Sequence, residues 1–213
     1  MESSTELVKQ KWNTLTAFSK KEELKDRLWN EIVYRYSAPH RYYHNLSHLA
    51  FLFGLLDEYI GHVHKPAAVG FAIIYHDIAY DTYQKDNEEQ SAQLAEAHLS
   101  QLKVSSHLTG LVKELILATK DHRVAPHTPQ QNDLEHFIDF DLAILGASPQ
   151  VYKTYMENIR KEYAKYNDEI YKQGRSLVLQ KFVELKHIFN TETFRNDMEF
   201  VARQNIHSEL SLL

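Results

Sequence analysis

Apolar residues recur three and four positions apart along nearly the whole chain, and no sustained alternation of period two is found. That pattern predicts helices and no sheet. The predicted helices cover about 4–36, 46–60, 66–80, 87–101, 105–121, 132–145, 149–172, 174–189 and 191–210. Breaks fall at "SAPH", "GHVHKP", "YDTYQKDN", "RVAPHTPQQ" and "GASP", each holding Pro, Gly or a cluster of turn formers. Two helix starts carry capping signals. In "NEEQ" Asn87 is the expected N-cap with Gln90 reaching back, and Asn132 or Asp133 is expected to cap the helix carrying Asp139 and Asp141. No linker, repeat or low-complexity tract interrupts the pattern. The expectation is an all-α, single-domain helical bundle over 1–213, with a motif-bearing core at about 41–145 and residues 149–213 packed on it.

One segment breaks the amphipathic rule. Ala67 to Tyr75 are all uncharged, then His76 and Asp77 follow directly. A buried ionised carboxylate costs several kcal/mol unless a partner offsets it. The segment therefore predicts a partner elsewhere in the chain.

Composition narrows the partner's nature. The chain has 213 residues, enough for a sizeable core, with 43% hydrophobic and 25% charged residues. A net charge of −5 argues against non-specific nucleic-acid binding but not against a small anionic substrate. There is no cysteine, so neither a disulfide framework nor a thiolate metal site is available. The start "MESSTELVKQKW" lacks a signal-peptide layout, and no uncharged run reaches membrane-spanning length. A cytoplasmic protein without membrane partners is expected.

Thirteen histidines leave imidazole and carboxylate as the available metal ligands. Four places stand out: "YHNLSH" at 43–48, "HD" at 76–77, "ATKDH" at 118–122 and "DFD" at 139–141. On a helix from Leu46, His48 falls in the sector of Phe51, Leu52, Leu55 and Leu56 and is expected to point inward. Asp77 closes an apolar helix, at the end where the macrodipole favours a cation. In "DFD" the helical advance separates the two carboxylates by roughly 160°. Asp141 falls in the arc of Leu134, Phe137, Ile138, Leu142 and Leu145, whereas Asp139 is expected to face solvent, a second shell or the substrate entrance.

The ordered set of motifs resembles the HD superfamily of metal-dependent phosphohydrolases, and more closely a bacterial-type subfamily described as predicted metal-dependent HD phosphohydrolases. The likeness runs through "RYYHNLSHL", "YHDIAYD", "NEEQSAQLA", "ATKDH" and "DFDLAILG". It continues in "YKTYMENIRKEY", "YKQGRSLVLQKF", "HIFNTETF" and "EFVARQNIHSEL", covering nearly the whole chain. The resemblance implies a helical fold, with His48, His76, Asp77 and Asp141 at the metal-ligand positions. Arg41 and His44 match the pocket-lining, substrate-binding part of the first motif; His44 is open equally to a plain loop reading. Asp77, Glu88 and His122 are the candidate catalytic residues. Glu88 would shuttle a proton or simply stabilise a helix start. His122 would bind a second metal or a phosphate, or sit against a helix C-terminus.

The remaining residues divide as follows. Arg160, Arg175 and Arg203 would fork onto a phosphate or tie helices together. His62, His64, His127, His187 and His207 are read as surface or loop residues, with His98 and His107 left open. The expected reaction is hydrolysis of a small phosphorylated metabolite, a nucleotide being one such substrate, using a divalent ion (Mn, Mg, Co, Zn, Fe or Ni) in a monomer or homodimer. Two alternatives remain. One is a di-iron oxygenase recruiting His98 and His122; the other is a nucleotide-binding regulatory module without turnover.

Overall fold

A computed structural model of the protein describes residues 3–124, 128 and 131–213. His127 lies outside the described residues. Among the described residues the regular structure is helical throughout, with no strand. The protein is all-α. No helix among these residues is long and apolar enough to cross a membrane.

The chain forms two compact units, 1–137 and 138–213. The first holds α1 (Ser4–Leu15), α2 (Glu22–Tyr36), α3 (Leu46–Glu58), α4 (Pro66–Tyr75), α5 (Asn87–Leu102) and α6 (Ser106–Ala118). The boundary falls inside α7 (Gln131–Leu142). The second unit adds α8 (Pro149–Glu162), α9 (Asp168–Glu184) and α10 (Glu192–Leu210), with a 3-10 turn at Ala143–Gly146.

Within the first unit α4 is central. It packs against α6, α3 and α1, and every residue from Ala68 to Tyr75 is buried. Pro66 starts it at a position where a missing N–H costs nothing. At Gly70 a Cβ would come within 3.0 Å of Leu15 Cδ2, so glycine sets how closely α1 approaches. The turn into α4 is held by Asp133, whose carboxylate accepts from the backbone N–H of His64 at 2.7 Å and of Lys65 at 2.9 Å. α7 starts at Gln131, so neither Asn132 nor Asp133 is its N-cap as expected, and Asp133 instead anchors a neighbouring chain segment.

Several predicted boundaries shift, each for a local reason. The predicted helix 4–36 is broken at 16–21, where the Thr16 hydroxyl takes the Trp12 carbonyl at 2.7 Å and competes with the helical ladder. The break expected near 173 lies instead before Asn167, whose side chain caps α9 by accepting from Ile170 N at 2.9 Å. At α5 the N-cap position belongs to Asp86. Asn87 instead bridges to Asp81, accepting from its N–H at 3.1 Å and donating to its carbonyl at 2.9 Å. Gln90 reaches back to the Asp86 side chain at 3.0 Å.

In the second unit, Arg160, Arg175 and Arg203 tie segments together. Arg175 forks onto both oxygens of Glu209 at 2.7 and 3.0 Å, and Tyr152 donates to the same carboxylate at 2.5 Å. Burial, reinforced by the Glu209 charge, raises the Tyr152 pKa and keeps its hydroxyl a donor. Arg160 bonds the carbonyls of Tyr163 and Tyr166 and the Asp168 carboxylate. Arg203 holds Glu199 and the carbonyls that end α9. At Gly146 a Cβ would sit 2.6 Å from Met198 Cβ, so the 3-10 turn meets α10 only with glycine there.

Asp139 corrects the phase argument. It is fully buried, not solvent-facing. Its carboxylate accepts from Asn190 N at 2.7 Å, Asn190 Nδ2 at 3.0 Å, and Thr191 N and Oγ1 both at 2.7 Å. The angular reasoning assumed one apolar and one wet face. From Asp133 to Leu142, however, α7 buries residues on every side. Asp139→Ala is expected to cost about 3 kcal/mol, because it strands buried donors at the start of α10. Urea unfolding measures this, and a loss below about 1 kcal/mol would contradict the anchoring role.

Candidate metal centre

The centre begins with two helix ends. Asn45 caps α3, its side chain accepting from Ser47 N at 2.8 Å, so the helix starts at Leu46 and His48 lies in its first turn. His48 is buried, with Leu52, Leu55 and Leu56. Phe51, expected in the same sector, is 42% exposed and marks the edge of the buried stripe. Because α3 starts no earlier, His44 sits in the preceding loop. Its ring still lies 5.9 Å from that of His48 and packs on Tyr80 at 4.5 Å.

The second end is that of α4, which stops at Tyr75 rather than near residue 80. His76 keeps a helical backbone and donates its N–H to Ala72 O at 2.8 Å, while Asp77 lies in the turn beyond. The His76 ring is 99% buried. Its Nδ1 lies 3.0 Å from the Ile73 carbonyl, an oxygen that can only accept. The proton is therefore assigned to Nδ1, and Nε2 presents a lone pair.

That lone pair faces His48. The two Nε2 atoms are 3.3 Å apart. Metal–nitrogen bonds of about 2.0–2.1 Å, at tetrahedral to octahedral angles, place two ligands roughly 2.9–3.4 Å apart. The observed separation fits two ligands of one ion. Asp77 Oδ2 lies 3.1 Å from His76 Nε2 and 3.9 Å from His48 Nε2. His48, His76 and Asp141 also form a group able to hold a metal ion, with ligand atoms all within 4.8 Å of one another. Tyr43 packs on His48 at 4.9 Å, and the Phe137 ring meets His76 edge-on at 5.8 Å. These aromatic walls limit how far either imidazole can turn.

Other expected residues take definite places. Arg41 is buried, and its guanidinium donates to the carbonyls of His44, Asp77 and Ile78. Glu88 is half-buried in the first turn of α5, a helix tied to the turn after the doublet by Ala79 N donating to Ser91 Oγ at 3.1 Å. Its neighbour Glu89 pairs with Lys120, whose ammonium also feels the Glu88 charge. His122 follows α6 in a left-handed conformation, φ 51°, with its N–H on Ala118 O at 3.1 Å. That is the geometry of a helix C-terminus. His62, His64, His107, His187 and His207 are exposed.

His98 does not join the cluster. Both its ring nitrogens are engaged elsewhere, Nδ1 at 3.2 Å from the Tyr75 hydroxyl and Nε2 at 3.4 Å from Glu31. The extra ligand that the oxygenase alternative required of it is thus committed to a separate buried chain. Sequence reasoning missed that chain because Glu31 lies on α2, far away along the chain. It missed His136 too, which is buried, sits 2.8 Å from the Asn132 carbonyl through Nδ1 and stacks on His62. Comparison of the chain with protein-family models, curated proteins and solved structures found no match.

Two predictions arise from this geometry. Replacing His76 or Asp77 by Ala should abolish uptake of a divalent ion, read by elemental analysis, while leaving the helical circular dichroism intact. Full occupancy in both variants would contradict the ligand set. The other concerns His98. Burial pushes its pKa below the ordinary 6.5, Glu31 opposing and Arg35 and Arg27 reinforcing. A depressed folded pKa means stability that is complete above about pH 6.5 and lost as pH falls toward the folded value, by at most about 1.4 kcal/mol per pH unit for one proton. Urea unfolding between pH 7.5 and 5.5 should therefore show a shallower loss in His98→Gln than in the wild type. Identical slopes would remove His98 as the cause.

Proposed function

We propose that the protein is a metal-dependent phosphohydrolase of the HD type that acts on a small phosphorylated metabolite, a nucleotide being one such substrate. The observation that carries this reading is the convergence of His48 and His76 Nε2 at 3.3 Å beside the carboxylate of Asp77, with Asp141 completing the donor set. Two imidazoles with carboxylates suit Mn, Fe, Co, Ni or Zn, and Mg less well. A divalent ion held there would acidify water and neutralise phosphoryl charge, which is the chemistry phosphate-ester hydrolysis needs.

The chain's own groups supply the remaining parts. His76 is held as a neutral ligand by the Ile73 carbonyl. Asp77 and Asp141 balance a divalent charge, and Arg41 adds a fixed positive charge behind them that favours an anionic substrate. Both terminal nitrogens donate to carbonyls and Nε is buried, so Arg41 acts on phosphate through charge rather than by a direct fork. The carboxyl of Glu88 is assigned to protonate the leaving oxygen, and His44 and His122 to contact the phosphate.

The test pairs metal analysis with a phosphate-release screen over nucleotides and sugar phosphates. Metal-dependent release should fall at least about 100-fold in Asp141→Asn, in line with loss of a group that fixes the reacting geometry. Release that is independent of added metal, or unchanged in Asp141→Asn, would overturn the reading.

A further inference from the structure

Arg41 is a cation held 92% out of solvent, and its guanidinium donates to backbone carbonyls. Nη1 donates to His44 O at 2.9 Å and to Asp77 O at 2.8 Å, and Nη2 donates to Ile78 O at 3.0 Å. The guanidinium carbon lies 4.8 Å from the Tyr36 ring and 5.2 Å from the Tyr80 ring. Both rings are themselves fixed at the site. Tyr36 donates to Ile74 O at 2.9 Å in the last turn of α4, and Tyr80 packs on His44. One planar group therefore joins the loop that delivers His44 and His48 to the turn that delivers His76 and Asp77.

Resting on the metal-site reading above, we propose that Arg41 is a positioning residue for the metal centre. It sets the backbone of Asp77 and Ile78 and the approach of the His44 loop, so that His48, His76 and Asp77 converge on one ion. α4 ends at Tyr75, where the Ile73 and Ile74 carbonyls meet His76 Nδ1 and the Tyr36 hydroxyl, and the Asp77 and Ile78 carbonyls beyond that end turn to Arg41. Burying a cation is costly, and a linker of apolar residues would join the two segments at less cost. What a guanidinium adds is a rigid fork that spans carbonyls from two segments at once. A lysine keeps the charge but presents a single point of donors and cannot hold that span.

The experiment is titration of the full-length protein with Co²⁺ alone, followed by calorimetry and visible absorption. The variants are Arg41→Lys, Arg41→Gln and the milder Tyr80→Leu. Arg175→Lys serves as a control, disturbing a buried arginine in the second unit. Loss of a group that orients metal ligands typically weakens affinity about 10- to 100-fold. Both Arg41 variants should fall in that range, with Tyr80→Leu weakened several-fold and Arg175→Lys unchanged despite a lowered unfolding midpoint. Arg41 variants that bind within twofold of the wild type overturn the proposal. So does weakening that tracks stability across all variants, Arg175→Lys included. Should the Arg41 variants not fold, unchanged binding in Tyr80→Leu overturns it. A wild-type protein that takes up no Co²⁺ overturns the metal reading itself, a result distinct from failure of the positioning role.

Discussion

Two imidazole nitrogens held 3.3 Å apart in a buried setting require something between them, a shared proton or a shared cation. The Ile73 carbonyl places the His76 proton on Nδ1 and leaves Nε2 as an acceptor. Asp77 Oδ2, 3.1 Å away, brings negative charge to the same point. A proton satisfies one nitrogen pair, whereas a divalent ion satisfies the nitrogens and the carboxylates together. The start of α3, the end of α4 and the turn after it together set that separation.

The surroundings make the arrangement rigid. α4 is buried from Ala68 to Tyr75, so His76 cannot swing to solvent without dragging a packed helix. Tyr75, its neighbour, is anchored through His98 to Glu31 on α2, and Tyr36 on the same helix holds Ile74 O. Three consecutive residues, Ile74 to His76, thus have their groups bonded to different parts of the first unit. Burial pushes the Tyr75 and Tyr36 hydroxyls far above the ordinary tyrosine pKa, so both remain neutral donors across the physiological range.

What could be read from the sequence was set by how local each signal is. Helical periodicity is local, and it identified an all-α chain. The Ala67–Tyr75 run ending in His-Asp pointed to a buried polar group because burial is written in the neighbours; the structure buries His76 and leaves Asp77 partly exposed. Boundaries failed where side chains compete for backbone groups without a Pro or Gly to mark the place, as at Thr16 and Asn167. Arg41 was flagged only as a pocket residue. Its three carbonyl partners come from the backbone, which carries no residue-specific signature. Glu31 and His98 were invisible as a pair for the same reason that any long-range contact is.

The two aspartates of "DFD" show where helical phase informs and where it misleads. Phase correctly separates them, since residues two apart on a helix cannot share one direction. It cannot say which direction is wet. Asp139 already receives N–H and O–H groups from Asn190 and Thr191 on both oxygens. Burial raises its pKa against the pull of those donors, yet the donors are what make a carboxylate tolerable there at all. A carboxylate so occupied has little left to offer a cation. Asp141 is the one whose oxygen comes within reach of His48 and His76. The same short sequence therefore sets one acid to fixing the start of α10 and leaves the other in a group that could hold a metal ion, and the division is made by which donors each direction meets rather than by polarity.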